Sequence, residues 1–255
     1  MTEVAERDGS VKSVERSIDV LFVLADHPMT LTEVSNRTAL SKSTTLRLLT
    51  TLAHGGLVIK DPLTGTYQLG AGCLKLGQGF VNGQGGFAAL AHEPLKALSE
   101  ETGETISVHV RLGRQRVCVD EIPSAQGVRY VSPIGATAPV FLGSAGRVLL
   151  AWLPKPNLDL LIGDAPLFAP ASGTYLDQAK FRSELDLVRR RGYALSSGER
   201  IAGAAAISVP VRAPSGVIAS LSILGPSGRL SQQARLAALP RLNQAAAQMS
   251  QALVV

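Results

Sequence analysis

The stretch from 30 to 70 constrains the fold more than any other part of this chain, because it holds the boundary signals of two helices and a hairpin. Thr30 and Glu33 have the spacing of a capping box, so the first helix is predicted to run from 31 to 38. Ser41 is the next N-cap candidate, and an apolar run with helical spacing follows it. The sequence therefore predicts a short helix, a turn and a second helix.

The second helix of this stretch carries short hydroxyl and basic side chains near its start. Its core face is predicted to consist of Leu46, Leu49, Leu52 and Ala53. Its outer face is predicted to consist of Lys42, Ser43, Thr45 and Arg47. Such a helix can enter the DNA major groove, where small side chains meet base edges while Lys and Arg hold phosphates or guanine. The predicted DNA-contacting residues of the helix are Lys42, Ser43, Thr44, Thr45 and Arg47.

Two β-prone runs, 57–59 and 66–69, flank a turn-rich loop directly after this helix. They predict a two-stranded wing whose Lys60 or Tyr67 contacts the DNA backbone. An ordinary helical hairpin followed by a β-hairpin would show the same elements. The wing, together with the absence of acidic residues between Val34 and Lys60, favours DNA binding over that alternative.

Length and charge permit this interpretation without proving it. The 255 residues are enough for two modest domains, each with its own core. The formal net charge is +5, which fits a nucleic-acid partner. Residues 1–80, however, contain eight Lys or Arg and eight Asp or Glu, so the predicted DNA-binding part is neutral as a whole. The local pattern of side chains is therefore better evidence than the total charge.

The cysteine pattern and the hydropathy exclude several classes of protein. Cys73 and Cys118 stand alone, without the spacing of metal ligands or of a disulfide scaffold, so no metal and no other cofactor is predicted. Isolated cysteines fit a reducing compartment. The N-terminal residues are acidic and polar rather than signal-like, and no apolar run approaches membrane-spanning length. A cytoplasmic protein without a membrane partner is predicted.

Helix and strand signals alternate in the second half of the chain. An amphipathic helix at 87–102, a hairpin from 105 to 122 and a short strand at 128–131 are followed by further strands and helices. This order predicts an α+β fold with a mixed, mainly antiparallel sheet. The Gly-rich residues 82–86 are the clearest hinge. The predicted organisation is a disordered arm at 1–12, a winged helix-turn-helix domain at 13–70, a linker helix and hinge at 71–86, and a second domain at 87–255.

Four segments resemble the IclR family of transcriptional regulators. They are SKSTTLRLLTTL at 41–52, GTYQLG at 65–70, IGATAPVFLGSAGRVLLA at 134–151 and GERIAGAAAISVPVRAPSGVIASLSILGPSGRL at 198–230. The resemblance covers nearly everything from Val14 to the end. It implies a winged helix-turn-helix joined to a GAF-like effector-binding domain, assembled as a homodimer or a dimer of dimers. It also implies operator binding that a small organic effector, a carboxylate or an aromatic catabolite, modulates, and it favours a repressor over an activator.

Carried over residue by residue, the family's effector contacts fall on Gly135, Ala136, Glu199, Ala206, Ser222 and Leu224. Gly135 would bring backbone amides close to an anionic ligand. Many members of the family have a cysteine at the position of Ala206 and a small polar residue at that of Leu224. These two departures predict a more apolar site and a ligand with a larger hydrophobic or aromatic part.

Two other classes of function are weighed against this one. An enzyme could use His109 and Cys118 on the hairpin as a nucleophile pair, but the two side chains are not certain to share a face, and no nucleophile elbow, phosphate loop or metal quartet is present. No enzymatic activity is therefore predicted. A small-molecule sensor without DNA binding is the other alternative, which the basic helix and the wing disfavour.

Overall fold

The chain divides into two compact units, 1–82 and 83–255. The computed structural model describes residues 11–83, 87–163 and 166–252. Of the predicted arm at 1–12, residues 1–10 lie outside this description, and Lys12 already belongs to the first helix. Residues 84–86 of the predicted hinge also lie outside it.

The first unit has the element order of a winged helix-turn-helix. Its elements are α1 (Lys12–Leu24), α2 (Leu31–Thr38), α3 (Lys42–His54), β1 (Val58–Lys60), β2 (Tyr67–Leu69) and α4 (Ala71–Gly83). The predicted capping box is present, because Thr30 Oγ1 accepts from the Glu33 amide while Glu33 Oε2 accepts from the Thr30 amide at 2.7 Å. Ser41 caps α3 by accepting from the amide of Thr44. Local capping chemistry thus sets both helix starts.

The three first helices and the wing enclose one small core. Its buried members are Val20, Leu24, Met29, Val34, Leu49, Leu52, Val58 and Tyr67. Met29 and Tyr67 exchange two backbone hydrogen bonds of 2.9 and 2.7 Å, which tie the wing to the loop before α2. The wing therefore has a fixed place beside the helices of this unit.

The second unit is built on a six-stranded antiparallel sheet. Its elements are α5 (Phe87–Thr102), β3 (Thr105–Leu112), β4 (Gln115–Ile122), β5 (Thr137–Pro139), α6 (Gly143–Ala151), α7 (Lys155–Ile162), β6 (Leu167–Ala169), β7 (Thr174–Leu176), α8 (Gln178–Arg191), β8 (Ala194–Ser197), β9 (Ala204–Ala213), β10 (Gly216–Pro226) and α9 (Gln232–Ala252). The sheet order is β5-β4-β3-β10-β9-β8, and β6 and β7 form a separate hairpin.

The α+β class and the mainly antiparallel sheet are confirmed. Every strand pair within the described ranges is antiparallel, so the mixed component of the prediction is wrong there. The predicted strand at 128–131 is also wrong. Its residues form an irregular loop, in which the Tyr130 hydroxyl donates to the carbonyl of Ala202 instead of the backbone joining a ladder.

The two faces of the six-stranded sheet have different chemistry, because side chains alternate along each strand. One face is a hydrophobic core with α5 and α9, and its strand residues include Ile106, Val108, Val110, Ile207, Val209, Leu221 and Ile223. The intervening residues point to the opposite face and are small or polar: Thr105, Ser107, His109, Ala206, Ser208, Ser220 and Ser222. Helix α6 packs on this second face against β8, β9 and β10.

Gly146 sets how closely α6 approaches the loop before it. A Cβ atom at this position would lie 1.8 Å from the carbonyl oxygen of Val140, which is itself buried. We expect Gly146→Ala to destabilise the protein by about 3 kcal/mol, because backbone rather than a flexible side chain would have to move. Thermal unfolding followed by circular dichroism measures this.

The matched control is Gly77→Ala in α4, where an added Cβ meets nothing within 4 Å. Replacing this exposed helical glycine should leave stability unchanged or raise it by about 0.5–1 kcal/mol. Equal melting temperatures of the Gly146→Ala variant and the parent protein would contradict the close approach described for α6.

Candidate functional site

Helix α3 turns a different face outward from the one that the sequence predicted. Thr45 is fully buried with Leu49, and its hydroxyl donates to the carbonyl of Ser41 at 3.0 Å. The prediction that Thr45 contacts DNA is therefore wrong. Leu46, predicted to be in the core, is 44% exposed. The two assignments were exchanged because Thr45 satisfies its own hydroxyl within the helix and can pack as a small apolar side chain.

The outer face of α3 is short, polar and basic. Its exposed residues are Lys42, Ser43, Leu46, Arg47 and Thr50. Thr44 is half-buried, and its hydroxyl and that of Ser43 both lie within hydrogen-bonding distance of Ser41 Oγ, at 2.9 and 3.1 Å. Leu46 and Thr50 were missed by sequence reasoning, although their spacing of four residues from Lys42 and from each other could have revealed them. Methyl groups at these two positions suit contact with thymine methyls.

On the wing, Lys60 and Tyr67 have different environments. Lys60 is exposed, and its Nζ lies 5.5 Å from the centroid of the Tyr67 ring. Tyr67 is only 6% exposed and belongs to the core of the unit. The buried Tyr67 ring therefore lies close to the exposed ammonium group of Lys60. Of these two residues, Lys60 is the one that can contact a phosphate.

A cavity lies in the second unit, between the polar face of the sheet and the start of α6. Its lining includes Ser107 and His109 from β3, Arg116 from β4, Ser222 from β10, Ser144 from α6 and Arg200 from the loop after β8. We call it the polar pocket.

Four of the six residues predicted to contact an effector line the polar pocket: Glu199, Ala206, Ser222 and Leu224. Gly135 and Ala136 are not among its lining residues, and the role predicted for the Gly135 amide is wrong. That amide donates to the carbonyl of Cys118 at 2.8 Å, since the loop continues the pairing of β4 with β5. Further along the chain, within the same segment 134–151, Ser144 and Ala145 do line the pocket.

Glu199 does not present a free negative charge to the polar pocket. Its Oε2 accepts from Arg147 Nη1 at 2.8 Å and from the amide of Gly143 at 3.1 Å. This ion pair is largely buried. A carboxylate neutralised in this way opposes a bound anion much less than a free one would.

Arg116 is a buried cation that sequence reasoning missed. It is 5% exposed, and its Nε donates to the carbonyl of Leu142 at 3.3 Å. Burial, together with repulsion from the neighbouring Arg200, lowers the pKa of Arg116 to about 10, so the group is charged at neutral pH. Among the described residues no carboxylate lies within ion-pair distance of Arg116 or Arg200.

Hydroxyl groups complete the polar lining. Ser144, Ser208 and Ser222 form a chain of two side-chain hydrogen bonds, each 2.7 Å long. His109 Nε2 lies 3.1 Å from Ser132 Oγ, and burial lowers the pKa of His109 well below its ordinary value, so the imidazole is neutral. Ala206 and Leu224 add apolar surface to the same lining, so the pocket combines polar and apolar groups. The ligand with a larger hydrophobic or aromatic part stays a prediction.

The pair His109 and Cys118 gives no support to nucleophilic chemistry. The two residues are partners across β3 and β4 and so share a face, but Cys118 is 1% exposed. Burial, and next the charge of Glu121, raise the pKa of the Cys118 thiol to about 12. A thiol with this pKa is protonated at neutral pH and is a poor nucleophile.

We expect iodoacetamide at pH 8 to leave Cys118 unmodified in the folded protein, because the thiolate is scarce and the sulfur is covered. Mass spectrometry of peptides from the treated protein measures this, and treatment after denaturation gives the full modification as a control. Half-buried Cys73 is the more accessible thiol. Faster alkylation of Cys118 than of Cys73 in the native protein would contradict the inert environment.

Within residues 11–83, 87–163 and 166–252, no group of three or more His, Cys, Asp or Glu side chains is placed to hold a metal ion. No helix in these ranges is both long and apolar enough to cross a bilayer.

Comparison with known proteins matches both units to one family. The family model "Bacterial transcriptional regulator IclR C-terminal" matches residues 84–251, and "IclR helix-turn-helix domain" matches residues 13–62. The chain is 32% identical over 216 residues to the HTH-type transcriptional regulator XynR of Escherichia coli K12, covering 84% of this chain and 85% of the relative. It is 29% identical over 203 residues to the transcriptional repressor IclR of the same organism, covering 78% and 74%.

A solved structure of an IclR homolog from Microbacterium hydrocarbonoxydans has the same fold. It superimposes with a TM-score of 0.70 at 22% identity and covers 94% of this chain and 98% of that one. That protein was crystallised in complex with 4-hydroxybenzoate.

Proposed function

Because this chain belongs to the IclR family of bacterial transcriptional regulators, we propose that a small carboxylate in the polar pocket controls its affinity for operator DNA. The family supplies the general function, a DNA-binding transcriptional regulator with an effector-binding domain. Its relatives are regulators, which points away from an enzyme. The proposal adds the class of the effector and the residues that contact each partner.

The buried guanidinium of Arg116 is the observation that supports a carboxylate. A charge this well buried is costly without a counterion, and a guanidinium matches a carboxylate with two parallel hydrogen bonds. Arg200 adds a second positive charge at the same pocket. Glu199 is held by Arg147 and so does not neutralise Arg116. The homolog from Microbacterium hydrocarbonoxydans was crystallised with 4-hydroxybenzoate, which is also a carboxylate.

For the DNA side we propose Lys42, Ser43 and Arg47 on α3 and Lys60 on the wing as the contacting residues, with Thr44 at the helix start. Arginine and lysine can hold guanine or phosphate, and the helix start keeps small side chains near base edges. Leu46 and Thr50 join this set through their exposed methyl groups.

One copy of α3 makes too few contacts for a specific operator, so we propose that the protein binds as a homodimer or a dimer of dimers. Two copies of α3 that lie one DNA turn apart, about 34 Å, can contact two operator half-sites. Contact with both half-sites multiplies the discrimination between operator and random DNA. Repression, as the name of the Escherichia coli relative states for that protein, is the proposed sign of regulation. Because the proposed partner is operator DNA, the proposed location of the protein is the cytoplasm.

The test is a mobility-shift assay with DNA from immediately upstream of the protein's own gene and with random duplex of equal length. Tight binding to the upstream DNA that outcompetes the random duplex, and that weakens steeply with salt, is the expected result. Equal affinity for both duplexes, with and without carboxylates, would favour the sensor that lacks DNA binding.

A further inference from the structure

Two buried polar atoms of the polar pocket have no hydrogen-bond partner among the described residues. They are the hydroxyl oxygen of Ser107 and the Nδ1 atom of His109. The two side chains are 1% and 3% exposed, and both line the pocket. Most buried polar atoms in proteins are hydrogen-bonded, so a pair of exceptions at one cavity indicates that something else completes them.

The backbone places the two side chains on the same face of β3. Ser107 and His109 are two residues apart on β3, so their side chains leave the same face of the sheet about 7 Å apart. Ser107 lies opposite Ser222 of β10, whose hydroxyl is already bonded to Ser208. The other ring nitrogen of His109 is bonded to Ser132, which fixes the imidazole with Nδ1 left over. In the structure neither atom has a hydrogen-bond partner in the sheet.

The chemistry of the two atoms selects the complementary group. A serine hydroxyl can donate and accept, and a neutral imidazole with one nitrogen engaged presents either a donor or an acceptor at the other. An alcohol is the simple group that serves all of these combinations. A hydrocarbon chain or ring would displace water from Ser107 and His109 and return no hydrogen bond, which costs affinity.

The rest of the lining favours an aliphatic over an aromatic ligand. The lining residues include several serines, small Ala and Gly residues, Ile201 and Leu224, and no Phe, Tyr or Trp of the described ranges is among them. Aromatic ligands gain much of their affinity from stacking on such rings. The lining offers serine hydroxyl groups instead, from Ser107, Ser144 and Ser222.

From these contacts we infer that the effector is an aliphatic hydroxycarboxylate, whose carboxylate lies at Arg116 and whose hydroxyl is held by Ser107 and His109. This inference rests on the proposed function, because it names the effector of the same pocket. The inference adds the requirement that the ligand carry a hydroxyl group, which the positive charges of Arg116 and Arg200 do not impose. Arg116 and Arg200 would accept any small carboxylate, whereas Ser107 and His109 reject one without a hydroxyl.

The experiment is isothermal titration calorimetry of the full chain with sodium salts of matched acids. Propionate, lactate and glycerate differ only in hydroxyl count, hexanoate and gluconate form a longer pair, and benzoate is the aromatic member. We expect at least one hydroxylated acid to bind about tenfold or more tightly than its deoxy counterpart, and benzoate to bind weakly.

The Ser107→Ala variant assigns the preference to the pocket. The variant should bind the tightest hydroxy acid about tenfold more weakly than the parent does, and it should bind the deoxy counterpart with unchanged affinity. Ser220→Ala is the matched control, because Ser220 is an equally buried, unpartnered serine on the same sheet face that does not line the pocket. Its ligand preference should equal that of the parent, and thermal unfolding of both variants verifies that they fold.

The possible outcomes separate this inference from the proposed function. Equal binding of hydroxy and deoxy acids, or tighter binding of benzoate, overturns the hydroxycarboxylate and leaves the carboxylate effector standing. The same holds if Ser107→Ala and Ser220→Ala have equal effects. If none of the acids binds, the carboxylate effector and the hydroxycarboxylate fall together, and operator binding remains to be judged by its own assay.

Discussion

Replacing Arg116 with Met should abolish the response to the effector while leaving the protein folded and able to bind DNA. Removing one partner of a buried charge pair weakens binding by about 30-fold or more, because the ligand carboxylate would lose its counterion inside the pocket. In the absence of effector the same change should leave stability equal or raise it, since an unpaired buried charge is replaced by an apolar side chain of similar length. Calorimetry with the carboxylates and thermal unfolding measure the two effects separately.

The Arg116→Met substitution is informative because it is expected to weaken carboxylate binding without lowering the stability of the protein. A residue with a merely structural role would lose stability and ligand binding together. Arg190→Ala is the control for a changed net charge, because Arg190 is an exposed arginine on α8. A variant Arg116→Met that still bound carboxylates with parental affinity would remove the basis of the proposed effector class.

The second large effect is expected from Arg47→Ala on α3. Arg47 is exposed on the outer face of the helix. Because an arginine in this position can bind a guanine edge or a phosphate of DNA, we expect its loss to lower operator affinity by about tenfold or more. If Arg47 contacts a base, discrimination against random DNA falls as well. If it contacts phosphate, affinity falls for all sequences and the dependence on salt becomes shallower. Fluorescence anisotropy with operator and random duplexes distinguishes the two.

Arg190→Ala is again the charge-matched control, and it should leave operator affinity unchanged. Thr50→Ala removes one exposed methyl and hydroxyl from the same helix face and should have a smaller effect than the loss of Arg47. If Arg47→Ala and Arg190→Ala had equal operator affinities, α3 would not be the helix that contacts DNA.

The sequence predicts the parts of this fold whose causes are local. Thr30, Glu33 and Ser41 cap their helices through bonds to residues three positions away, so their roles can be seen in the spacing alone. The outward face of α3 is harder to predict, because Thr45 has a polar side chain and is nevertheless buried. Its hydroxyl is satisfied by the carbonyl of Ser41, and periodicity does not show that bond.

The polar pocket depends on strand register, which one sequence does not display. Ser107 on β3, Ser222 on β10 and Ser208 on β9 become neighbours only once those three strands are paired. Resemblance supplied Ala206 and Leu224, and these two apolar positions suggested an apolar ligand. Ser107, His109 and Arg116 come from β3 and β4, outside the four segments that carry the resemblance, and they add polar groups and a positive charge to that lining.

In the proposed function, a carboxylate bound in the polar pocket changes the operator affinity of the same protein molecule. The most direct measurement is fluorescence anisotropy of the upstream operator with the parent protein and the Arg116→Met variant, each with and without the tightest-binding carboxylate. We expect the carboxylate to change the parent's operator affinity severalfold and to leave the variant's unchanged, because a ligand shifts an equilibrium only through differential binding. The proposed coupling between the polar pocket and operator binding would be contradicted by an identical shift in both proteins. It would also be contradicted if a bound carboxylate left the operator affinity of the parent unchanged.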